Sequence, residues 1–385
     1  MFQWLLSLEE KSGLEDGGCP WRQMVVFRQG QLGDTVVAFP VIEALHNLWP
    51  QTPIVYCTNR FRRKRVVLGE DVCDLSPFIT ATATYYVEDS ALRKWRQIAA
   101  ATAKRGGSLL IYLPYAPATR WQIVRDWFFF RSMGFKDAIG FQAAWKWSGG
   151  WTKKSWLPKE STRLMDAVRS EGIPVRSVDS CAVRRDDQWA EDQWQRLGLN
   201  GRPVVAICPG TKMPSKRWPL DRYSEVGRRW HARTNAFLLV VGGPEDSEIG
   251  ERLVNDWKGY AASFCGASLL QSAAILFRAA AYLGNDTGAM HLAAVQGVPC
   301  VALFSAREIP GLWHPFGSNH ITLRHEMPCG GCRLEVCCYA DPAPCLEKTD
   351  VDTVLAALEK VWQLPRTCAA GSPLVPLAPE HRSTQ

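Results

Sequence analysis

Short apolar runs alternate with segments of helical spacing along most of this chain. Runs such as Val204–Cys208 and residues 237–241 are apolar throughout, a pattern typical of strands that are buried on both faces of a parallel sheet. Segments with helical spacing follow them, at Leu220–Thr234 and at residues 269–279. This alternation of strand and helix predicts an α/β fold.

The alternation occurs in two sets, and each set is typical of one Rossmann-like domain. The length of 385 residues is enough for about two domains. We expect the first domain over residues 1–200 and the second over residues 201–364, with a hinge near residues 200–203. The tail, residues 365–385, is rich in proline, serine and alanine and is predicted to be disordered.

Two local expectations concern the first domain. An amphipathic helix is predicted from Asp34 to near Trp49, and Pro40 must lie in or near its first turn because a proline further inside would kink it. Residues 145–183 show the least regular pattern of the chain, so no element is predicted there with a clear period.

Residues 280–304 predict a strand, a tight turn, a helix and a second strand. The turn consists of Asn285, Asp286, Thr287 and Gly288, in which Asp286 or Thr287 can cap the helix and Gly288 leaves the backbone open to close approach. Free N–H groups at the helix start would bind a phosphate or diphosphate. An ordinary capped turn between strand and helix explains the same residues equally well.

The net charge of +7 suggests an anionic partner, which could be nucleic acid, lipid head groups or a phosphorylated substrate. We find no nucleic-acid-binding motif and therefore expect no nucleic acid partner. No run reaches the roughly 18 apolar residues of a membrane span, and the beginning of the chain lacks a basic leader, which predicts a cytoplasmic protein. The odd number of cysteines, 13, fits a reducing compartment.

Tryptophan is frequent, with 17 residues, and several of them lie beside arginine or lysine. Examples are Trp95 between Lys94 and Arg96, and Trp121 after Arg120. Such pairs suit a surface that touches an amphiphile. For most of the tryptophans a place in the core is the better expectation.

Five segments occur in the order that is known from one family. They are FRQGQLGDTVVAFPVIEAL at 27–45, ICPGTKMPSKRWPLDRY at 207–223, LLVVGGPEDSE at 238–248, YLGNDTGAMHLAAVQGVPCVALF at 282–304, and a cysteine-rich segment at 329–345. With these segments the chain resembles glycosyltransferase family 9, the ADP-heptose:lipopolysaccharide heptosyltransferases. The resemblance implies a GT-B fold, in which two Rossmann-like domains face each other across a cleft.

The resemblance also implies an activity. The enzyme would move a heptose from ADP-heptose to an inner-core lipopolysaccharide acceptor with inversion, and it would need no metal or other cofactor. Its partners would be the nucleotide-sugar donor and an anionic lipid-linked saccharide, and it would contact the cytoplasmic face of the inner membrane peripherally. Alternatives are the same fold with another nucleotide sugar and acceptor, a catalytically silent nucleotide-binding protein, or a dinucleotide-dependent protein. The last lacks support because no G-x-G-x-x-G motif follows the first strand.

Transfer of this kind needs a base and a group that holds the leaving diphosphate. The resemblance assigns the base to Asp34, where the alternative is a simple helix cap, and the diphosphate to Lys216. The turn residues Asp286, Thr287 and Gly288 would complete the diphosphate site.

His291, one turn further along, is named as a neighbour of the site, because a single helical histidine is more often structural than catalytic. For the nucleoside, Glu245, Asp246 and Glu248 compete, and Asp246 is favoured because a carboxylate can accept hydrogen bonds from ribose hydroxyls. The alternative is that these charges only solvate the loop.

A cluster of positive charge in the first domain is predicted to bind the phosphorylated acceptor. Its members are Arg60, Arg62, Arg63, Lys64 and Arg120. The alternative is a charged face that only contacts water.

Five cysteines lie close together before the last predicted helix, at positions 329, 332, 337, 338 and 345. Cys329 and Cys332 have the C-x2-C spacing of a metal knuckle, which two of the others could complete. Reduced thiols that pack a loop are the alternative, and a disulfide is least expected in the cytosol. Because the resemblance implies a shared structural role for this segment, we assign no metal ligand.

Overall fold

The computed structural model describes residues 19–62, 67, 69–102, 107–115, 118–149 and 155–364. The tail 365–385, which was predicted to be disordered, lies outside the described residues, as do Arg63 and Lys64.

The first half of the chain forms one parallel sheet of five strands in the order β3-β2-β1-β4-β5. The strands are β1 Gln23–Phe27, β2 Ile54–Arg60, β3 Ile79–Tyr86, β4 Ser108–Tyr112 and β5 Asp137–Ile139. All residues of β1 and β4 are buried, because helices cover both faces of the sheet. The helices of this half are α1 Leu32–Val36, α2 Phe39–Leu48, α3 Gly69–Cys73, α4 Ala91–Ala101, α5 Arg120–Ser132, α6 Phe141–Trp147 and α7 Glu160–Arg169.

The second half forms a parallel sheet of six strands in the order β11-β10-β9-β6-β7-β8. The strands are β6 Val204–Cys208, β7 Phe237–Val240, β8 Ala261–Ser263, β9 Ala281–Asn285, β10 Cys300–Phe304 and β11 His320–Arg324. The helices are α8 Asp187–Arg196, α9 Leu220–Thr234, α10 Ser247–Asp256, α11 Leu269–Arg278, α12 Gly288–Val295, α13 Pro344–Glu347 and α14 Val351–Trp362. The α/β class and the two parallel sheets that the sequence predicts are therefore confirmed.

The domain division at residue 200 stays a prediction. Helix α8 precedes that residue but packs against α11, which belongs to the second sheet. The connection between the sheets thus already lies against the second half of the chain before the predicted hinge.

Two local predictions need correction. The single helix predicted from Asp34 to Trp49 is two helices, α1 and α2, and Pro40 lies in the first turn of α2 as the sequence requires. The stretch 145–183 is not irregular throughout, since α7 lies within it and buries Leu164 and Val168. Charged residues stand between the apolar positions of α7, so the sequence of this stretch shows no clear helical period.

Both sheets have a point at which the strand order reverses, between β1 and β4 in the first and between β6 and β9 in the second. In open parallel sheets, ligands bind at the carboxyl ends of the strands at such a point. The segments that follow β1, β6 and β9 are those that carry Asp34, Lys216 and the 285–288 turn.

The two halves touch where α1 meets α12. Two glycines permit this contact. A Cβ atom on Gly33 would lie 3.1 Å from the His291 ring, and one on Gly288 would lie 2.6 Å from the Leu32 side chain. Larger residues at these positions would push the helices apart.

None of the described helices has the length and apolar character that crossing a bilayer requires.

Candidate functional site

Asp34 lies in α1, directly after the carboxyl end of β1. Its carboxylate accepts a hydrogen bond from the Gln31 N–H at 2.8 Å, so it does cap its own helix. Burial raises the pKa of the Asp34 carboxyl, although the Arg28 charge and the Gln31 N–H oppose the shift. By itself, a position in the first turn of a helix favours the ionised form. Desolvation outweighs that effect here.

A buried ion cluster of Arg28, Glu160 and Arg163 supports the main chain at Asp34. Arg28 donates through Nε to the backbone oxygen of Asp34 and through Nη2 to Glu160 Oε1 at 3.0 Å. Arg163 donates to Glu160 Oε2 at 2.7 Å and to Oε1 at 2.7 Å. Burial disfavours the charged form of Glu160, but the two arginines outweigh burial and hold the pKa of Glu160 below its ordinary value. The cluster thus fixes the main chain that carries Asp34.

Lys216 ends the short 3₁₀ turn Pro214–Lys216 that follows β6. Its ammonium lies 2.6 Å from Asp286 Oδ2 and 3.2 Å from Glu308 Oε1. Burial lowers the pKa of Lys216, but the two carboxylates outweigh burial and raise it above the ordinary value. Lys216 is therefore a cation that stands between two carboxylates.

Asn285 fixes the turn that carries Asp286. Its Oδ1 accepts from the Trp218 N–H at 3.2 Å and from the Tyr223 hydroxyl at 3.0 Å, and its Nδ2 donates to the Pro209 carbonyl at 2.7 Å. Asn285 is completely buried, so all three bonds are shielded from water. Trp218 is also completely buried, as expected for most of the tryptophans.

Thr287 is the N-cap residue of α12, and Gly288 is the first residue of the helix. His291 follows on the same helix and is 3% exposed, and its Nδ1 has no hydrogen-bond partner among the described residues. Burial first, and then the Lys216 and Arg28 charges, lower the pKa of His291 to about 3. His291 is therefore a neutral imidazole at neutral pH, and its unpartnered nitrogen lies beside the site.

The structure brings the predicted base and the predicted diphosphate residues to one cleft. Helix α1, which carries Asp34, packs against α12, which begins at Gly288 directly after the turn that carries Asp286, the ion-pair partner of Lys216. The Tyr115 ring of the first half lies 5.6 Å from the Trp313 ring of the second half, and the Trp313 ring lies 6.1 Å from His291. The aromatic residues thus bound one side of the cleft.

Asp246 and Glu245 occupy different positions in the loop after β7. Asp246 accepts from the Gly243 N–H at 2.9 Å, and Cβ atoms on Gly210 or Gly242 would collide with its side chain. Asp246 therefore packs across the carboxyl ends of β6 and β7, whereas Glu245 and Glu248 are exposed. Burial raises the pKa of Asp246, because its carboxylate is partly withdrawn from water.

Arg60 is the last residue of β2 and Arg62 follows the strand, on the cleft side of the first sheet. Arg62 pairs with Asp89 at 2.8 Å, and its guanidinium lies 4.0 Å from the centre of the Tyr86 ring. Arg60 forms an ion pair with Glu70. Both arginines line an open pocket with Tyr86 and Glu70. Each of them forms an ion pair with a carboxylate, which an anionic ligand would have to displace.

Of the other predicted acceptor residues, the described one, Arg120, is not among those that line this pocket. Arg120 is exposed at the start of α5, with its guanidinium 5.0 Å from the centre of the Trp145 ring. Arg63 and Lys64 lie outside the described residues.

Sequence reasoning missed three charged residues of the site: Arg28, Glu160 and Glu308. Arg28 ends a buried apolar strand, and a charge in that place is a usable signal. Glu160 stands in the stretch without a recognisable period, and Glu308 lies in the loop after β10, outside the five segments that carry the resemblance. No local pattern identifies the last two.

The cysteine-rich segment lies against the loops of the site. Ser215 donates its hydroxyl to the Leu334 carbonyl at 2.6 Å, and Arg307 donates to the same carbonyl at 2.8 Å. The cysteines of the described residues are free thiols. Across those residues, histidine, cysteine and acidic side chains form no group of three or more that could hold a metal ion.

Comparisons with known proteins agree with the resemblance. The family model described as glycosyltransferase family 9 (heptosyltransferase) matches residues 160–341, a range that includes Lys216 and the 285–288 turn but not Asp34. Lipopolysaccharide heptosyltransferase 1 of Pseudomonas aeruginosa is 31% identical over 139 residues, which are 36% of this chain and 39% of that protein. The matched part is therefore well under half of the curated relative.

Two solved structures cover most of the chain. The family 9 glycosyl transferase of Veillonella parvula covers 89% of this chain and 98% of its own, with a TM-score of 0.66 and 19% identity. The ADP-heptose lipopolysaccharide heptosyltransferase II of Escherichia coli covers 88% and 98%, with a TM-score of 0.62 and 15% identity. The chain therefore has the GT-B fold of these proteins, and its residues 160–341 match the family model of glycosyltransferase family 9.

Proposed function

We propose that this protein transfers a heptose from ADP-heptose to an inner-core lipopolysaccharide acceptor, with inversion at the anomeric carbon and Asp34 as general base. The observation that supports the proposal is the contact between α1, which carries Asp34, and α12, which begins beside the Lys216–Asp286 pair of the other half. A carboxylate on one side and a buried cation on the other are what a single displacement at a nucleotide sugar requires.

In this scheme the acceptor hydroxyl binds beside Asp34. Its oxygen forms a bond to the anomeric carbon while the bond from that carbon to the diphosphate oxygen breaks, and the hydroxyl proton moves to the Asp34 carboxylate. The raised pKa of Asp34 makes it a stronger base than an ordinary aspartate. Attack from the side opposite the leaving group inverts the configuration.

The second domain would stabilise the leaving ADP. Lys216 offsets the negative charge that grows on the diphosphate, and the N–H groups of Thr287 and Gly288 at the start of α12 offer further donors. Asp246 would accept from the ribose hydroxyls. No step of this scheme uses a metal ion, because Lys216 supplies the positive charge.

The first domain would hold the acceptor. Arg60 and Arg62, with Arg63 and Lys64 next to them in the sequence, would bind its phosphate groups, and Arg120 would contact it at the rim. Such an acceptor is anchored in lipid, so we expect peripheral contact with the cytoplasmic face of the inner membrane. The relatives support this choice of substrates, since they include lipopolysaccharide heptosyltransferases and one whose name contains ADP-heptose.

The test is a transfer assay with a panel of ADP- and UDP-sugars and a heptose-deficient inner-core acceptor. We expect transfer from ADP-heptose and a product whose anomeric configuration, read by NMR, is opposite to that of the donor. Transfer from another nucleotide sugar alone would replace the donor assignment. ADP binding without transfer from any donor would favour a silent nucleotide-binding protein.

A further inference from the structure

Two neighbouring helices of the first domain carry large apolar side chains on their outer side. Leu92 of α4 is 59% exposed, and Trp121 and Phe128 of α5 are 75% and 63% exposed. Single exposed apolar residues are ordinary, but a group of them marks a contact surface.

The exposed residues of α5 follow one stripe of the helix. Trp121, Arg125 and Phe128 are spaced by four and three positions and therefore share a face. Ile123 and Phe130 point the other way and are buried against the sheet. The inner apolar face of α5 thus packs against the core, whereas its outer face carries aromatic side chains that are exposed.

The same two helices are strongly basic. They carry six basic residues and one acidic residue, Asp126, which pairs with Arg125 at 2.7 Å. The basic residues are Arg93, Lys94, Arg96, Arg120, Arg125 and Arg131. Lys94 is half-buried and the other five are exposed.

The helices form one surface that begins beside the cleft. Trp95 Nε1 of α4 donates to the Ser132 hydroxyl of α5 at 3.1 Å, which joins the two helices. Helix α5 begins shortly after Tyr115, whose ring contacts Trp313 across the cleft. A partner that lies on this surface is therefore next to the entrance of the proposed acceptor site.

We propose that this surface, the outer side of α4 and α5 with Leu92, Arg93, Arg96, Trp121, Arg125 and Phe128, docks on an anionic phospholipid bilayer. The inference rests on the proposed function, because a lipid-anchored acceptor is the reason for the enzyme to visit a membrane. Tryptophan and phenylalanine enter the boundary between head groups and acyl chains, while arginines pair with anionic head groups. A surface that carries both aromatic residues and arginines can therefore contact the boundary of the acyl chains and the anionic head groups together.

A bilayer explains the surface better than a second copy of the chain does. A two-fold dimer through α4 and α5 would bring the same basic residues of both copies together, and like charges in contact are costly. Protein interfaces also deplete charge at their centre, whereas here arginines lie between the aromatic residues.

The experiment is co-sedimentation of the full chain with vesicles of phosphatidylcholine alone or mixed with phosphatidylglycerol, at low and high salt. We expect binding to the mixed vesicles that weakens with salt. The double variant Trp121→Ala/Phe128→Ala should bind about 10-fold more weakly or worse, as expected for the loss of two buried aromatic groups. Arg93→Gln/Arg96→Gln should lose affinity for the mixed vesicles and part of the salt dependence.

Tyr339→Ala is the matched control, because Tyr339 is 70% exposed but lies on the second domain. It should bind vesicles as the unmodified protein does. All these positions are on the surface, and circular dichroism would verify that the variants fold.

The double variant should keep its turnover on a water-soluble acceptor saccharide and lose it on an acceptor embedded in vesicles. This contrast separates the two claims, since failure of the proposed function would remove both activities but leave vesicle binding measurable. Equal vesicle binding by the double variant and the control would overturn the docking surface. So would a dimer in sedimentation velocity that the double variant loses.

Discussion

The Lys216 ammonium lies 2.6 Å from Asp286 Oδ2, and these two residues come from different loops at the strand-order reversal of the second sheet. Glu308 approaches the same ammonium at 3.2 Å from a third loop. A nucleoside diphosphate that binds here would have to replace both carboxylates as the ion-pair partner of Lys216. In the proposed function, a diphosphate replaces these carboxylates because it carries more negative charge than either of them.

Lys216→Ala should therefore weaken ADP binding and slow transfer together. The loss of a hydrogen bond to a charged group, about 1.5–3 kcal/mol, corresponds to roughly 10- to 100-fold in affinity. Calorimetry with ADP and a steady-state assay measure the two effects. Lys216→Arg keeps the charge and is the control. If ADP affinity were the same in the alanine variant, Lys216 would have no place in the diphosphate site.

The contact between α1 and α12 predicts a second effect. Gly288→Ala would place a Cβ atom 2.6 Å from Leu32 and should cost about 1–3 kcal/mol of stability, as overpacking does, with reduced turnover because the domains are forced apart. Thermal unfolding and a transfer assay would measure both. Leu32→Ala in the same chain should restore part of the loss, because it removes the two atoms at 2.6 Å but keeps the Leu32 Cβ atom at 2.9 Å, and Leu32→Ala alone is the control. A double variant no better than Gly288→Ala would contradict this account.

The sequence identified the second domain better than the first. Strand β6 and helix α9 have the predicted bounds, because their apolar pattern is complete within one local run. Arg28 and Glu160 were not found, since they stand 132 positions apart and meet through the tertiary fold alone. The direction of the pKa shift of Asp34 was also missed. It depends on burial, which a motif does not contain.

Glu160 should be important for stability in a pH-dependent way. Glu160→Gln leaves Arg28 and Arg163 buried without a counter-charge, and breaking a buried pair of this kind costs about 3–5 kcal/mol. The folded-state pKa of Glu160 is depressed, so its stabilising effect is complete above the unfolded value, near the ordinary 4.5, and is lost as the pH falls through the folded value. Urea unfolding at several pH values should show the deficit of the variant at pH 7 and its decline in acid. A deficit that does not change with pH would mean that packing, not charge, is responsible.

Removal of metal ions should leave transfer intact. In the proposed mechanism, Lys216 and the N–H groups at the start of α12 offset the charge that grows on the diphosphate, and the proton moves to Asp34. Turnover should be equal before and after dialysis against EDTA, with unfolding temperature as a control for the cysteine-rich segment. A loss of turnover that zinc, iron or magnesium restores would show that the proposed mechanism lacks an essential part.

The most direct test of the central claim is the turnover of Asp34→Asn together with its affinity for ADP. The amide keeps the shape of the side chain but is not a base. We predict that transfer falls about 10²- to 10⁴-fold, the usual contribution of a general base, while the ADP affinity stays the same because the diphosphate residues are in the other domain. Near-normal turnover of Asp34→Asn, with the same ADP affinity, would show that Asp34 only caps α1 and would contradict the account.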